Sequence, residues 1–266
     1  MDNYFVSSCK RVKDWICRQF GQKEKKTVHH KKLADGGEVI VWETGRAGEE
    51  AASYENLFLR KEIAGFRTNI RREQSCSIKS LTRDYLYKQL LSSGEYTFDH
   101  MLVIKDPYGE APLTALALFM LEEPACVRVT TKGNLKVTDF VTELPKKKEH
   151  RVPILGMYAE KANDIVIEIL DDEGNCVKSH TFTIRTKRLP KSLRNVITVK
   201  KWTDKPAYSN IMINGGVKIH TCVFDIEGKI RYYLSRKPRG YGIFPLSDGH
   251  FFYMEKYISV PSYSNP

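Results

Sequence analysis

The sequence has no run of apolar residues approaching the roughly 18 that a membrane span requires. It has no Cys-x-x-Cys pair, and no cysteine–histidine cluster has zinc spacing. Its six cysteines, Cys9, Cys17, Cys76, Cys126, Cys176 and Cys222, are scattered, so buried or inert thiols are expected. Their even number leaves a disulfide framework as the alternative. There is no G-x-S-x-G elbow, no glycine-rich phosphate loop and no H-E-x-x-H. These absences remove the common hydrolase, nucleotide-binding and zinc-protease classes, and the expectation is no cofactor and no metal. The apolar stretch Tyr4 to Val6 is too short for the core of a signal peptide, which points to the cytoplasm.

Hydrophobic residues make up 41% of the 266 positions and aromatics 11%, enough to build a core. The net charge of +11 is unevenly spread. Residues 1–32 carry 9 Lys/Arg against 3 Asp/Glu, and residues 191–266 carry 12 against 5, whereas residues 101–190 balance at 13 each. A basic leader can meet nucleic acid or anionic lipid, or simply be a solvated tail. It lacks interleaved aromatics for base stacking, and no nucleic-acid-binding signature follows, so no nucleic-acid partner is expected. Toward the C-terminus, Arg194, Lys200, Lys201, Arg231, Arg236, Lys237 and Arg239 suit an anionic substrate if they converge.

Residues 1–20 read as a short helix with Val12, Trp15, Ile16 and Phe20 near one face, and residues 21–37 as a linker ending in Asp35-Gly36-Gly37. Glu38 to Trp42 reads as a lone short strand. Leu57, Ile63, Phe66 and Ile70 recur at helical spacing, and Ser80 is placed to cap a second helix ending at Ser93-Gly94. From Tyr96 the period becomes that of strands, expected at 101–105, 113–121, 126–132, 151–158, 164–170 and 176–186. The strand from Leu113 is apolar enough to be buried on both faces. Asp171-Asp172-Glu173-Gly174-Asn175 lacks calcium-ligand spacing and predicts a hairpin turn. Val177 falls out of step with Phe182 and Ile184, which predicts a bend or a bulge. Short strands with turns between them predict a two-sheet sandwich.

Lys187 to Arg194, with Pro190, is a basic hinge. Strands are expected beyond it at 196–201, 210–213, 217–224, 230–234 and 250–255. The segment Cys222 to Tyr233, with its Asp225 turn and Gly228, has the grammar of one propeller blade, and a propeller needs typically four to eight. The fold expected is mainly β: an Ig-like antiparallel β-sandwich, then an incomplete β-propeller of about one blade, with a helical N-terminal extension. The divisions are residues 1–95, 96–190 and 191–266.

Three phrases carry a resemblance: Asp106-Pro107-Tyr108-Gly109 with Pro112-Leu113-Thr114-Ala115, Glu149-His150-Arg151-Val152-Pro153, and Gly156-Met157-Tyr158. Over residues 96–260 their order and spacing resemble the N-terminal β-sandwich of the bacterial aryl-sulfate sulfotransferases. Phe224 to Tyr232 resembles the start of the propeller that follows there. The resemblance implies transfer of a sulfuryl group from a phenolic sulfate ester to a phenol, through a sulfated histidine. It also implies a homodimer paired through the sandwich, and secretion or a periplasmic home in some relatives. Neutral imidazole is a sound nucleophile for such a step, and cations would clamp the sulfuryl oxygens.

In that family the reactive histidines come from later blades, so this sequence reads as a truncated chain, inactive alone and serving dimerisation and scaffolding. His220 is the one weak catalytic candidate, with an ordinary strand histidine as the other reading. His150 is expected to be structural, His250 exposed and His29-His30 a chance pair. The alternative is a non-catalytic β-sandwich that serves as a binding or dimerisation module.

Overall fold

The computed structural model describes residues 28–52, 74–200, 210–213, 220–235, 243–245 and 251–253. The expected helix over 1–20, the helical spacing from Leu57 to Ile70, and His250 lie outside these residues. The chain is mainly β. A seven-stranded sheet runs in the order β1 (Val28–Lys32), β2 (Glu38–Trp42), β3 (His100–Lys105), β4 (Ala115–Thr131), β6 (Ala162–Leu170) and β7 (Cys176–Arg185), and β5 (Phe140–Ile154) also pairs with β4.

The hairpin of β4 and β5 turns this one sheet into two layers. Ala115 pairs with Ile154 at one end and Thr131 with Phe140 at the other, and the register slips between Met120 and Val127. Pro124 and Pro145 sit at that slip, where proline weakens the ladder and lets the hairpin bend. The bend brings the two ends of β5 together. A Cβ built on Gly156 would lie only 2.6 Å from the Phe140 Cβ, and Gly156 has φ 74°, so a side chain is excluded there twice over. β3 pairs with the first half of β4, and β6 with the second half. Strands expected separately at 113–121 and 126–132 are therefore one bent strand. The strand expected at 151–158 is instead β5, which starts at Phe140 and ends at Ile154.

The inner faces of the two layers meet in one core. Val103, Ala117, Phe119 and Val152 come from the first layer, and Val127, Val129, Ile165, Ile167, Phe182 and Ile184 from the second. The first layer is also covered outside. Leu102, Ile104, Leu116 and Leu118 pack on Leu86, Tyr87 and Leu91 of helix α1 (Gln74–Ser92), and on Ala47 and Ala51 of the helical residues 44–52. That accounts for the near-continuous apolar run in β4, which is buried on both faces as expected.

The N-terminal segment departs from its sequence reading. Residues 28–32, expected within a linker, form β1. They pair with β2 because Leu33–Gly37 closes a tight turn, with the Leu33 amide donating to the Gly37 carbonyl at 2.7 Å. β2 is not alone. It pairs antiparallel with β1 and parallel with β3, joined to β3 by the connection that contains α1. Within residues 96–190 every paired strand is antiparallel; the parallel pair enters through β2. Ser80 is not a cap, since α1 is already helical from Gln74. The helix does end at Ser93-Gly94, where the Gly94 amide donates to the Leu91 carbonyl.

The turn Asp171 to Asn175 closes β6 and β7 as expected, with the Asp171 carboxylate accepting from the Asn175 amide at 2.7 Å. The bulge at Val177 is present: Ile169 pairs with Lys178 but Leu170 with Cys176, which leaves Val177 unpaired and 68% exposed. Beyond the hinge, residues 196–200 are not a strand. A three-stranded antiparallel sheet follows in the order β10 (Ile230–Tyr233), β9 (Cys222–Asp225) and β8 (Asn210–Ile213), with a separate pair β11 (Ile243–Pro245) and β12 (Phe251–Tyr253). The three-stranded sheet is propeller-like, and it packs on the sandwich: Cys222, Ile230 and Tyr233 join the inner core.

Candidate functional site where the sandwich meets the three-stranded sheet

The junction is built around Asp225, Arg231 and Tyr158. Asp225 closes β9 and starts the turn to β10, where its Oδ1 accepts from the amides of Glu227 and Lys229, both at 3.0 Å. Its Oδ2 accepts from the Tyr158 hydroxyl at 3.0 Å and lies 3.1 Å from Arg231 Nη1. Arg231 donates from Nε to the Gly156 carbonyl at 2.6 Å and from Nη1 to the Thr138 carbonyl at 2.8 Å. Its guanidinium lies 3.9 Å from the centre of the Tyr158 ring. Asp225 is fully buried and Arg231 is 1% exposed. A buried charge pair of this kind is costly to assemble and specifies one arrangement when its hydrogen bonds are made. Here it ties β9 and β10 to the Gly156-Met157-Tyr158 phrase.

His220 lies beside this junction, at the entry to β9. It is 7% exposed, and its Nδ1 is 2.7 Å from the Leu234 carbonyl. A carbonyl only accepts, so Nδ1 carries the proton and the lone pair of the neutral ring sits on Nε2. The Tyr233 ring meets it edge to face at 6.1 Å. This is the tautomer in which Nε2 can act as a base or nucleophile, held in a mostly buried position.

Among the described basic residues of the C-terminal quarter, Arg231 and Arg194 serve different places. Arg231 is consumed by Asp225. Arg194 lines a cleft of about 360 Å³ with Arg188, Leu193, Ile197, Lys229 and Ile230. In that cleft Arg188 faces Glu160 at 3.4 Å, and Arg194 Nε donates to the Leu189 carbonyl at 2.9 Å. Lys201, Arg236, Lys237 and Arg239 lie outside the described residues.

The other described histidines make structural contacts. His150 is buried, stacks on Phe119 and donates from Nε2 to the Lys147 carbonyl at 2.8 Å. Burial pushes its pKa down. His29 and His30 lie on the β1 edge facing Glu43 and Glu38. His180, not singled out in the sequence, is the most enclosed: its side chain is fully buried between Asp35 and Asp99. The available signal was its phase with Phe182 and Ile184, which puts it on the inward face of β7. Among the described residues no group of three His, Cys, Asp or Glu is placed to hold a metal. Of the cysteines, Cys222 is buried but Cys176 is exposed.

The family phrases are the structural joints of the domain. In Asp106-Pro107-Tyr108-Gly109 the Asp106 backbone sits at φ 44°, and its carboxylate accepts from the Ala111 amide at 2.9 Å. Burial raises the Asp106 pKa, against the backbone amides and Arg83 that favour its charge. The Tyr108 hydroxyl donates to Asp84 at 2.6 Å, and Arg151 of the Glu149–Pro153 phrase reaches the same carboxylate at 2.5 Å. Arg83 and Tyr87 of α1 donate to the Pro107 carbonyl.

No helix among the described residues is long and apolar enough to cross a membrane. No curated protein matches the chain. Residues 102–187 match the family model of the arylsulfotransferase Ig-like domain, which begins within β3 and ends just after β7. This part of the chain is similar to that domain, consistent with the N-terminal region of an aryl-sulfate sulfotransferase.

Proposed function

We propose that the chain is the scaffold portion of an aryl-sulfate sulfotransferase. In this reading it sets the first strands of a propeller against an Ig-like domain and pairs two copies of the enzyme. The divisions 1–95, 96–190 and 191–266 are then an extension, the Ig-like domain and the opening of the propeller, and the protein works in the cytoplasm. The complete enzyme moves a sulfuryl group from a phenolic sulfate ester to a phenol in two displacements. An imidazole nitrogen first bonds sulfur and expels the phenolate, and the acceptor oxygen then displaces the imidazole. The observation that carries the reading is the buried Asp225–Arg231–Tyr158 junction. It fixes the blade-like strands onto the family's own Gly156-Met157-Tyr158 phrase, as a scaffold must.

His220 supports only the scaffold role in this proposal. Its ring is mostly enclosed and is held in place by the Leu234 carbonyl. The test is transfer from p-nitrophenyl sulfate to phenol by the purified chain, with mass spectrometry for a histidine carrying an added sulfuryl group. No turnover and no adduct are expected. Turnover abolished by His220→Ala would make His220 the nucleophile and overturn the scaffold reading. Sedimentation of the same protein reads its pairing, where a monomer at micromolar concentration would remove the dimerisation role.

A further inference from the structure

We propose that the cleft between α1 and the bend of β5 docks an extended acidic peptide of a partner protein, one carrying an apolar residue among its carboxylates. Three features meet there. The first is a strand edge: β5 pairs only with β4, so among the described residues its other edge offers unpaired backbone groups. The second is an apolar floor made by Leu91, Leu144 and Pro145 in a cleft of about 300 Å³, with room for one or two side chains. The third is a rim of Lys88, Lys147 and Arg151 against the single carboxylate Glu149.

Two carboxylates near the cleft, Asp172 and Asp84, are already committed. Lys146 is paired with Asp172, and Arg151 with Asp84. Lys88 and Lys147, both exposed, form no ion pair among the described residues. The wall behind them is fixed, because His150 stacks on Phe119 and holds the Lys147 carbonyl. Strand addition with side-chain pockets is a recurring mode of peptide recognition, and charge sets which peptide. A small organic anion would leave the backbone edge unused. A second copy would bring Lys146, Lys147 and Lys148 toward a like-charged run, which opposes self-pairing. The same lysines that block self-association therefore select an acidic strand. This inference stands apart from the sulfotransferase reading, since the cleft shares no residue with the Asp225 junction.

The test uses the whole chain and a short fluorescein-labelled peptide alternating glutamate with valine, read by fluorescence anisotropy. Binding is expected, and Lys88→Glu/Lys147→Glu should weaken it by about tenfold or more. The melting temperature should stay unchanged, since both side chains are exposed. A peptide with lysine in place of glutamate should not bind, and N-methylation of alternate peptide amides should abolish binding. Three results would overturn the proposal: no binding of the acidic peptide, equal binding by the charge-reversed variant, or full binding by the N-methylated peptide. Self-association of the chain that the same two substitutions abolish would assign the surface to a second copy and overturn it as well.

Discussion

His180 Nε2 lies 2.9 Å from Asp99 Oδ1, and the opposite ring nitrogen lies 2.5 Å from Asp35. The ring is fully buried and stacks on Phe98 at 4.4 Å. Asp35 belongs to the β1–β2 turn and Asp99 to the approach to β3, while His180 comes from β7. One imidazole thus joins β7, at one end of the curled sheet, to the β1–β2 turn at the other. Lys31 of β1 adds a second tie, donating to the Thr183 carbonyl of β7. The sheet closes through side chains where its backbone does not.

Replacing this ring tests the closure. His180→Ala removes two hydrogen bonds to charged partners and the stacking on Phe98. It should cost about 2–4 kcal/mol in urea unfolding, following the usual worth of charged hydrogen bonds and lost packing. Asp35→Asn and Asp99→Asn should each cost much less, because both carboxylates stay about half exposed. Equal losses from all three would mean that the ion pairs rather than the buried ring close the seam.

The same groups set an acid limit. The Lys178 hydrogen bond, helped by His180 and opposed by burial, holds the Asp99 carboxyl below its usual range. Asp35 is also lowered: burial raises it, but bonds from His180 and Gly37 outweigh that. A carboxyl lowered in the folded state stabilises at pH above its unfolded value of about 3.9, and this is lost as pH falls through the folded value. Stability should therefore fall below about pH 4, and less steeply in Asp99→Asn. Chemical denaturation from pH 6 down to pH 3 reads both slopes.

Arg231 and Asp225 make a sharper prediction. Arg231→Ala leaves the Asp225 carboxylate buried without its cation, which in comparable sites costs about 3–5 kcal/mol. β9 and β10 should then detach and become sensitive to protease near Gly228, while the sandwich still melts cooperatively. Arg231→Met with Asp225→Leu should recover much of the loss, because an apolar pair removes the unpaired charge. Limited proteolysis and equilibrium unfolding of the two variants beside the wild type separate these outcomes.

Much of the sandwich was legible because its signals are local. The alternation in β6 and the Asp171–Asn175 turn are settled by neighbouring residues, and so is the bulge at Val177. The apolar run from Leu113 announced burial on both faces without saying what covered them. What stayed hidden depends on distant partners. Val28–Lys32 reads as polar linker because an edge strand needs no apolar face, only the strand beside it. Arg231 counts as a free cation until Asp225 and Tyr158 are brought to it. His220 is anchored by the Leu234 carbonyl, fourteen residues away, a partner that its own strand does not announce.

The domain match covers residues 102–187, yet the outer face of its first layer is covered by residues that precede it. A fragment limited to 102–187 exposes Leu102, Ile104, Leu116 and Leu118, and loses β1 and β2. Each such side chain contributes about 1.5–3 kcal/mol when buried, against a typical total stability of about 5–15 kcal/mol. The fragment should be unfolded or aggregated, whereas 28–235 should give a dispersed amide spectrum. A well-folded 102–187 fragment would show that α1 and the first two strands are dispensable.

An alkaline limit should mirror the acid one. Burial pushes the Tyr108 hydroxyl up to about 12, with the Asp84 carboxylate adding to it, and burial raises Tyr87 and Tyr96 further still. Unfolded tyrosines ionise near pH 10, so above that value the folded state retains protons that the unfolded state has released. Stability is complete below about pH 10 and falls as pH rises toward the folded values. Tyr108→Phe removes the Asp84 bond that docks α1 on the Asp106–Gly109 turn, so it should lower stability at pH 7 by about 1 kcal/mol. It should also flatten the alkaline decline. Absorbance at the tyrosinate band during a pH titration, run beside urea unfolding, measures the two effects on one sample. Ionisation of all tyrosines near pH 10 with the fold intact would contradict the burial of this joint.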